Sequence, residues 1–148
     1  MPTNYSDQEL LEALLKGEKK KSSEIFINLV ENNVELEDIY EETIKKAMYK
    51  VGELWEYGKI SVATEHLASA IVESNLNELY SRSEIKESNN KSVVLACIEK
   101  EFHQIGLKMV ADIFEIFGWK TIMLGSNVPA NELIDFISEI KPELVALI

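Results

Sequence analysis

The sequence has one cysteine, Cys97, and two histidines, His66 and His103, among its 148 residues. A single cysteine excludes an intrachain disulfide, and its position in a predicted strand favours a buried thiol in a reduced, cytoplasmic protein. Zinc sites that a protein builds by itself take four ligands, mostly Cys and His. This chain could supply such a set only with the help of carboxylates. A metal that arrives inside a macrocycle, however, needs just one axial ligand from the protein.

Basic residues are also scarce, since 15 Lys and Arg stand against 26 Asp and Glu, giving a formal net charge of −11. This balance disfavours direct binding of nucleic acid, which requires a basic surface, and equally an anionic membrane surface. No apolar run approaches the roughly 20 residues of a membrane helix, and the N-terminus lacks a signal-peptide pattern. A GxGxxG motif and a P-loop are absent as well, so a phosphate cradle is not indicated. We therefore expect no nucleic-acid partner and no membrane.

The first half of the sequence contains four segments with the periodicity of amphipathic helices. Ser6 followed by Glu9 forms a capping-box pattern at the start of the first helix, and Gly17 ends that helix. The third segment is the most regular and stops at Tyr57, whereas Ser61 caps the fourth. The predicted helices run to about residue 16, from about 20 to 32, from about 36 to 56, and from about 62 to 80. Four such helices with short loops predict a helical bundle.

The second half alternates between strand and helix patterns, after a polar stretch at 83–91 that predicts a linker. Strands are predicted at 92–98, at about 120–124 and at 144–148. Helices are predicted at about 104–117 and between Pro129 and Lys141. A loop is expected at 125–129. This alternation predicts a doubly wound parallel sheet in the order 2-1-3. The fold class is thus α + α/β, with a four-helix bundle at 1–82, a linker at 83–91 and a flavodoxin- or Rossmann-like domain at 92–148.

The third predicted strand, Leu144 to Ile148, consists entirely of apolar residues and ends the sequence. A flavodoxin-like sheet continues with a fourth and a fifth strand, and natural proteins avoid apolar edge strands. We therefore expect a truncated domain, with only its three N-terminal strands, or a partner that completes the sheet. We also expect the exposed strand to drive self-association into a homo-oligomer.

The polar stretch after the first predicted strand contains His103. Ligands of open α/β sheets bind at the carboxyl ends of the strands, so we expect this histidine near the ligand. The stretch follows the pattern D/E-x-H-x-x-G, with the residues Glu101, Phe102, His103, Gln104, Ile105 and Gly106. It resembles the signature of cobalamin (vitamin B12)-binding modules, in which a four-helix cap is joined to a Rossmann-like domain. The segments Val51–His66 and Met123–Pro129 also resemble that family, in its cap and in its second strand with the following loop.

The resemblance implies that cobalamin binds with its benzimidazole base displaced (base-off) and with His103 as the lower axial ligand to cobalt. Imidazole nitrogen is a good ligand for such a metal. Glu101 could accept the other ring N–H and so fix the tautomer, and Gly106 would let a flat ring approach the backbone. The alternative is that His103 has an ordinary N-cap role. The cofactor-binding residues implied in this domain are Glu101, Phe102, His103, Gln104, Ile105, Gly106, Gly125, Val128 and Pro129.

The predicted cap contains the spacing Trp55-x9-Glu65-His66, which resembles the cap of CarH-type photoreceptors that hold adenosylcobalamin. Val62, Glu65 and His66 share one helical face, at i, i+3 and i+4. The resemblance implies that Trp55 and this face cover the upper side of the corrin and enclose an adenosyl group. In methionine-synthase-like caps, apolar residues cover a methyl group instead. The alternative is that Trp55 and Val62 belong to the bundle core and that Glu65 and His66 are surface residues.

The chain departs from the resemblance at several positions. Glu56 stands where CarH-type photoreceptors have a histidine that binds cobalt after illumination, and Lys100 stands where the family often has glycine. Thr64 replaces an expected acid at the start of the fourth helix. No DNA-binding segment is visible before the cap in this sequence, and we expect the segments that usually hold the nucleotide tail, after the third strand, to be missing. Together with the acidic composition, this predicts a separate protein partner.

Two functions follow from the resemblance, and neither makes this chain an enzyme by itself. The first is a sensory or regulatory module, with a light response as one form of it, that binds adenosylcobalamin and acts through a transcription regulator. The second is a corrinoid carrier that binds methylcobalamin and serves methyltransferases. Trp55 favours the first, because it reserves space for a larger upper ligand. A receiver-like regulatory domain is disfavoured, because the sequence lacks an Asp after the third strand.

Overall fold

The computed structural model of the chain describes residues 6–148. They divide into two compact units, one up to Arg82 and the other Ser83–Ile148. The first is helical, with α1 Asp7–Lys16, α2 Lys19–Glu31, α3 Leu36–Asp38, a π-helical segment Ile39–Ile44, α4 Lys45–Glu56 and α5 Val62–Ser81. The second contains β1 Ser92–Ile98, α6 Ile105–Ile116, β2 Lys120–Val128, α7 Ala130–Ile140 and β3 Leu144–Leu147. A helical unit followed by a parallel sheet confirms the predicted fold class. Within the described residues, no helix is both long and apolar enough to cross a membrane.

Local signals at both ends of α1 act as the sequence predicts. The Ser6 hydroxyl accepts a hydrogen bond from the Glu9 N–H at 3.3 Å, and the Glu9 carboxylate accepts one from the Ser6 N–H at 2.9 Å. At the other end Gly17 adopts φ +73° and its N–H closes the last turn on Ala13 and Leu14. The capping box and the glycine stop are therefore confirmed.

The core of the helical unit is formed by apolar residues on the facing sides of its helices. Each side chain of this size contributes about 1.5–3 kcal/mol when it is fully removed from water. The largest fully buried side chains are Leu10, Leu14, Phe26, Ile39, Ile44, Val51, Val72, Leu76 and Leu79. One polar pair lies inside this core, where the Asn75 amide donates to the Ser22 hydroxyl at 2.5 Å. That hydrogen bond joins α2 to α5.

The third predicted helix is continuous but includes the π-helical segment Ile39–Ile44 that the periodicity did not predict. Both of its terminal isoleucines, and Tyr40, are buried. Residues five apart are turned by about 140° from each other in an α-helix, whereas i→i+5 hydrogen bonds of a π-helix bring them closer to one face. The wider turn therefore lets Ile39 and Ile44 reach the same core.

The sheet of the second unit has the order β2-β1-β3, with both pairs parallel, as predicted. Strand β1 is central, and its residues from Val93 to Cys97 are buried. Its alternate side chains pack on two sides. Val93, Leu95 and Cys97 cluster with Leu107 and Ala111 of α6, whereas Val94 and Ala96 cluster with Leu133 of α7. A strand buried on both faces explains the continuous apolar run in its sequence.

Strand β2 continues to Val128, so the prediction of a strand ending near 124 and a loop at 125–129 is wrong. The pairing with β1 shifts register twice, between Leu95 and Ala96 and between Ala96 and Ile98. Gly125 has φ +84° and Asn127 has φ +54°. The residues that predicted a turn thus form bulges within the strand instead. Only Pro129 lies outside it, as the N-cap of α7.

Residues 83–91, the predicted linker, contain no helix or strand but are bound to their own unit. The Lys86 N–H donates to the Ile116 carbonyl at 2.9 Å, and the Asn89 N–H donates to the Gly118 carbonyl at 3.0 Å. The Lys86 ammonium also lies 3.8 Å from the centre of the Phe117 ring. These contacts hold the segment against the C-terminal end of α6.

Candidate functional site

The loop between β1 and α6 is fixed to the end of β2 by two hydrogen bonds to Asn127. The Lys100 N–H donates to Asn127 Oδ1 at 2.9 Å, and the Asn127 N–H donates to the Glu101 carbonyl at 2.9 Å. Lys100 has φ +74°, the left-handed conformation that glycine adopts at least cost. The loop therefore takes, at Lys100, a backbone conformation that favours glycine.

Within this loop, the Glu101 carboxylate contacts His103 twice. Its Oε1 accepts the His103 backbone N–H at 2.7 Å and lies 2.8 Å from His103 Nδ1. These hydrogen bonds hold the pKa of Glu101 below its usual value, and the bond from the His103 backbone has a larger effect than the bond from its ring. The side chain of His103 is 87% exposed. The contact that the sequence predicted is thus present, and it leaves Nε2 as the ring nitrogen available to a metal.

The base of the loop packs on the end of β1. The Cys97 thiol donates a weak hydrogen bond to the His103 carbonyl at 3.7 Å. Cys97 is buried, and this burial, followed by the charge of Glu101, raises the pKa of its thiol. The thiol therefore stays protonated, as its role as a donor requires.

The start of α6 tests the alternative that His103 is the N-cap of this helix. The N-cap of α6 is Gln104, which follows the histidine and makes no side-chain capping hydrogen bond. The interpretation of His103 as an ordinary N-cap is therefore wrong. Ile105 is the first residue of the helix, and a Cβ placed on Gly106 would meet no atom within 4 Å. The open space beside this backbone suits the approach of a flat ring, as the corrin of cobalamin would require.

The remaining predicted residues of this unit lie around the loop in different ways. Phe102 is 65% exposed. A Cβ on Gly125 would lie 3.2 Å from Gln104 Oε1, so these two residues are adjacent. Val128, in contrast, packs against the cluster formed with Leu133 under α7, and Pro129 begins that helix. The structure thus brings together Glu101, His103, Gln104 and Gly125, whereas Val128 contributes to the core.

Three of the four predicted residues of the helical unit are exposed, whereas the side chain of Glu65 is only 16% exposed. Trp55, near the end of α4, is 49% exposed and Val62, at the start of α5, is 52% exposed. The alternative that both belong to the bundle core is therefore wrong. Glu65 contacts His66 Nδ1 and accepts a hydrogen bond from the Ser69 hydroxyl at 2.8 Å. Glu65 is thereby held in place, whereas the side chain of His66 is 75% exposed.

The described residues offer no second candidate site that includes the predicted residues. Residues 6–148 contain no group of three or more His, Cys, Asp or Glu side chains that could hold a metal ion. Two clefts of the helical unit, one near Asp7 and Thr43 and one near Glu18 and Glu24, include none of the predicted site residues.

Sequence reasoning did not assign a role to Asn127, although this residue makes both hydrogen bonds that join the His103 loop to β2. One signal was available. Asparagine is enriched at positive φ and its side chain readily accepts nearby backbone N–H groups, so an Asn between Gly125 and Pro129 could have been read as a loop anchor.

The comparisons with known proteins all point to the same family. Two sequence families, both described as B12 binding domain, match residues 7–80 and 91–148. The HTH-type transcriptional repressor CarH of Myxococcus xanthus is 32% identical over 108 residues, which cover 73% of this chain and 36% of that protein. The trimethylamine corrinoid protein of Methanosarcina barkeri is 26% identical over 138 residues, which cover 91% of this chain and 64% of that protein. The chain thus spans between about a third and two thirds of the length of these relatives.

The solved structure of the Methanosarcina barkeri monomethylamine corrinoid protein matches the fold, with a TM-score of 0.77 at 20% identity. The match covers 96% of this chain and 69% of that one. Since the two family matches follow each other along nearly all of the described residues, the chain belongs to the B12-binding domain family and is a cobalamin-binding protein.

Proposed function

We propose that this chain binds cobalamin in the base-off form, with His103 Nε2 as the lower axial ligand to cobalt. The observation that supports this is the 2.8 Å contact between Glu101 Oε1 and His103 Nδ1. A carboxylate on one ring nitrogen fixes the tautomer and makes the other nitrogen a better donor to a metal. The ring is exposed at the carboxyl end of the central strand, where ligands of this fold class bind. Cobalamin with an adenosyl or methyl upper ligand would supply a reactive cobalt–carbon bond.

The helical unit supplies the residues that we propose for the upper side of the cofactor, Trp55, Val62, Glu65 and His66. Trp55 and Val62 keep about half of their surface exposed, so apolar area remains for a ligand. Glu65 is fixed by Ser69 and His66 and could accept hydrogen bonds from a ribose. This combination of an aromatic surface and a fixed carboxylate suits an adenosyl group better than a methyl group.

The function that follows is a sensory or regulatory module that binds adenosylcobalamin, in the cytoplasm, and acts through a transcription regulator. A light response is part of this proposal because the spacing Trp55-x9-Glu65-His66 resembles that of CarH-type photoreceptors. The 32% identity to a transcriptional repressor over 108 residues supports a regulatory role.

The alternative function is a methyl carrier that binds methylcobalamin and serves a methyltransferase. The match to a trimethylamine corrinoid protein favours it, since that match extends over 91% of the chain rather than 73%. In both functions the chain is a cofactor-binding module rather than an enzyme by itself.

The first experiment tests the ligand at cobalt. The protein is incubated in the dark with aquacobalamin and desalted, and the retained cofactor is reduced to cob(II)alamin for electron paramagnetic resonance. In protein whose histidines carry 15N, we expect one axial nitrogen of the protein to split each cobalt line into a doublet, whereas the 14N of the cofactor's own benzimidazole base would give a triplet. His103→Ala should abolish the doublets, whereas the matched variant His66→Ala, on the helical unit, should keep them. Doublets that persist in His103→Ala, triplets in the wild-type protein, or a wild-type protein that retains no cobalamin, would contradict the proposal.

The second experiment separates the two functions. Retention of adenosylcobalamin is compared with that of methylcobalamin in wild-type protein and in Trp55→Ala, with Tyr49→Ala as an exposed aromatic control. The sensor predicts a preference for the adenosyl form that Trp55→Ala reduces and illumination changes. Equal retention of both forms, unaffected by Trp55→Ala, would favour the carrier.

A further inference from the structure

Asn127 lies at the second register shift of β2, where the strand bulges away from β1. Its φ of +54° turns both its backbone N–H and its side chain toward the loop that contains His103. The two hydrogen bonds that result reach Lys100 and Glu101, the residues three and two positions before the histidine. Asn127 is 27 residues away from Lys100 in the sequence.

These hydrogen bonds act on the part of the loop that is most costly to form. Lys100 has a left-handed backbone, which residues with a Cβ adopt only at an energetic cost, and the bond to Asn127 Oδ1 offsets that cost. The bond to the Glu101 carbonyl fixes the same residue whose carboxylate holds the His103 ring. A continuous series of contacts therefore leads from Asn127 through Glu101 to His103.

We infer that Asn127 is a positioning residue for the cobalt ligand, and this inference depends on the proposed role of His103. Its amide oxygen and its backbone together set the conformation of residues 100 and 101, and Glu101 then orients the imidazole. Asparagine suits the position because it tolerates positive φ and also offers a side-chain acceptor. Glycine would keep the backbone conformation but lose the acceptor, and aspartate would keep both.

A double-mutant cycle tests whether Asn127 acts through His103. The dissociation constant of aquacobalamin is measured for the wild-type protein, Asn127→Gly, His103→Ala and the double variant. We expect Asn127→Gly to weaken binding about fivefold, the factor that one hydrogen bond contributes. In the His103→Ala background the same change should have no effect. Asn127→Asp should bind as the wild-type protein does, since it keeps the acceptor.

The outcomes of the cycle distinguish the inference from the proposed function. Equal weakening by Asn127→Gly in both backgrounds would show a merely structural role and overturn the inference, as would Asn127→Asp binding as weakly as Asn127→Gly. Cobalamin binding and 15N-histidine splitting that are unchanged by His103→Ala would overturn the proposed function itself. Thermal unfolding checks that Asn127→Gly folds. If it does not, Asn127→Ser, whose hydroxyl is too short to reach the Lys100 N–H, takes its place with the same expectation.

Discussion

Replacing Lys100 by glycine should stabilise the second unit, because the φ of Lys100 is +74°. A left-handed conformation costs a residue with a Cβ about 1–2 kcal/mol. Glycine removes this cost but loses about 0.5–1 kcal/mol more conformational entropy on folding. At the middle of both ranges, the difference leaves a gain of about 0.75 kcal/mol in the free energy of unfolding. The hydrogen bond from the residue 100 N–H to Asn127 is retained, since it involves only the backbone of residue 100.

Unfolding of this unit can be followed separately, because the two tryptophans lie in different units. Trp119 follows α6 and packs edge-to-face on Phe114, with 5.1 Å between the two ring centroids. In a Trp55→Phe background, the fluorescence of Trp119 therefore reports on the second unit. For a unit of this size the expected gain corresponds to a rise of about 3–6 °C in the midpoint of thermal unfolding. The nitrogen splitting of bound cob(II)alamin should not change.

Lys120→Gly is a matched control, since Lys120 is also an exposed lysine of the second unit but lies in β2. Glycine in a strand should destabilise the unit by about 0.5–1 kcal/mol. If Lys100→Gly lowered the midpoint as Lys120→Gly does, the left-handed conformation of Lys100 and the reasoning from it would be wrong.

Two further predictions concern β3. The Glu143 carboxylate accepts hydrogen bonds from the Ser92 N–H at 2.6 Å and from its hydroxyl at 2.8 Å, and these hold the pKa of Glu143 below its usual value. Because the folded pKa is depressed, this stabilisation is present above the unfolded value of about 4.3 and is lost as the pH falls through the lower folded value. The protection factors of the β3 amides, which correct for the slower intrinsic hydrogen exchange at low pH, should therefore fall on acidification, and less so in Glu143→Gln. Leu144 and Leu147 are exposed on β3, so we also expect self-association, which Leu147→Lys should reduce; a stable monomer by light scattering in wild-type protein would contradict this.

Signals confined to a few neighbouring residues were sufficient for most of the fold. The capping box of Ser6 and Glu9 depends on contacts within one turn of helix, and the continuous apolar run of β1 predicts a strand buried on both faces. The parallel order 2-1-3 follows from the connectivity of such strands through helices. The motif from Glu101 to Gly106 likewise placed a carboxylate two residues from a histidine, near enough to form the contact that the structure shows.

The predictions failed where the conformation depends on a distant partner. The π-helical segment Ile39–Ile44 forms because its buried side chains must reach one core, and helical periodicity alone cannot show that. The residues Gly125 to Asn127 have the composition of a turn, yet they remain in β2 because β1 pairs with them across two register shifts.

The sequence by itself determined the helical unit and the parallel sheet, since periodicity and caps are local properties, and the resemblance of a short motif to cobalamin-binding modules made cobalamin binding the expected function. Only the tertiary structure decided that Trp55 and Val62 lie at the surface, that Lys100 takes a left-handed backbone, and that Asn127 holds the His103 loop. Exposure and hydrogen bonds between residues 27 positions apart depend on how the chain packs, which no local pattern specifies.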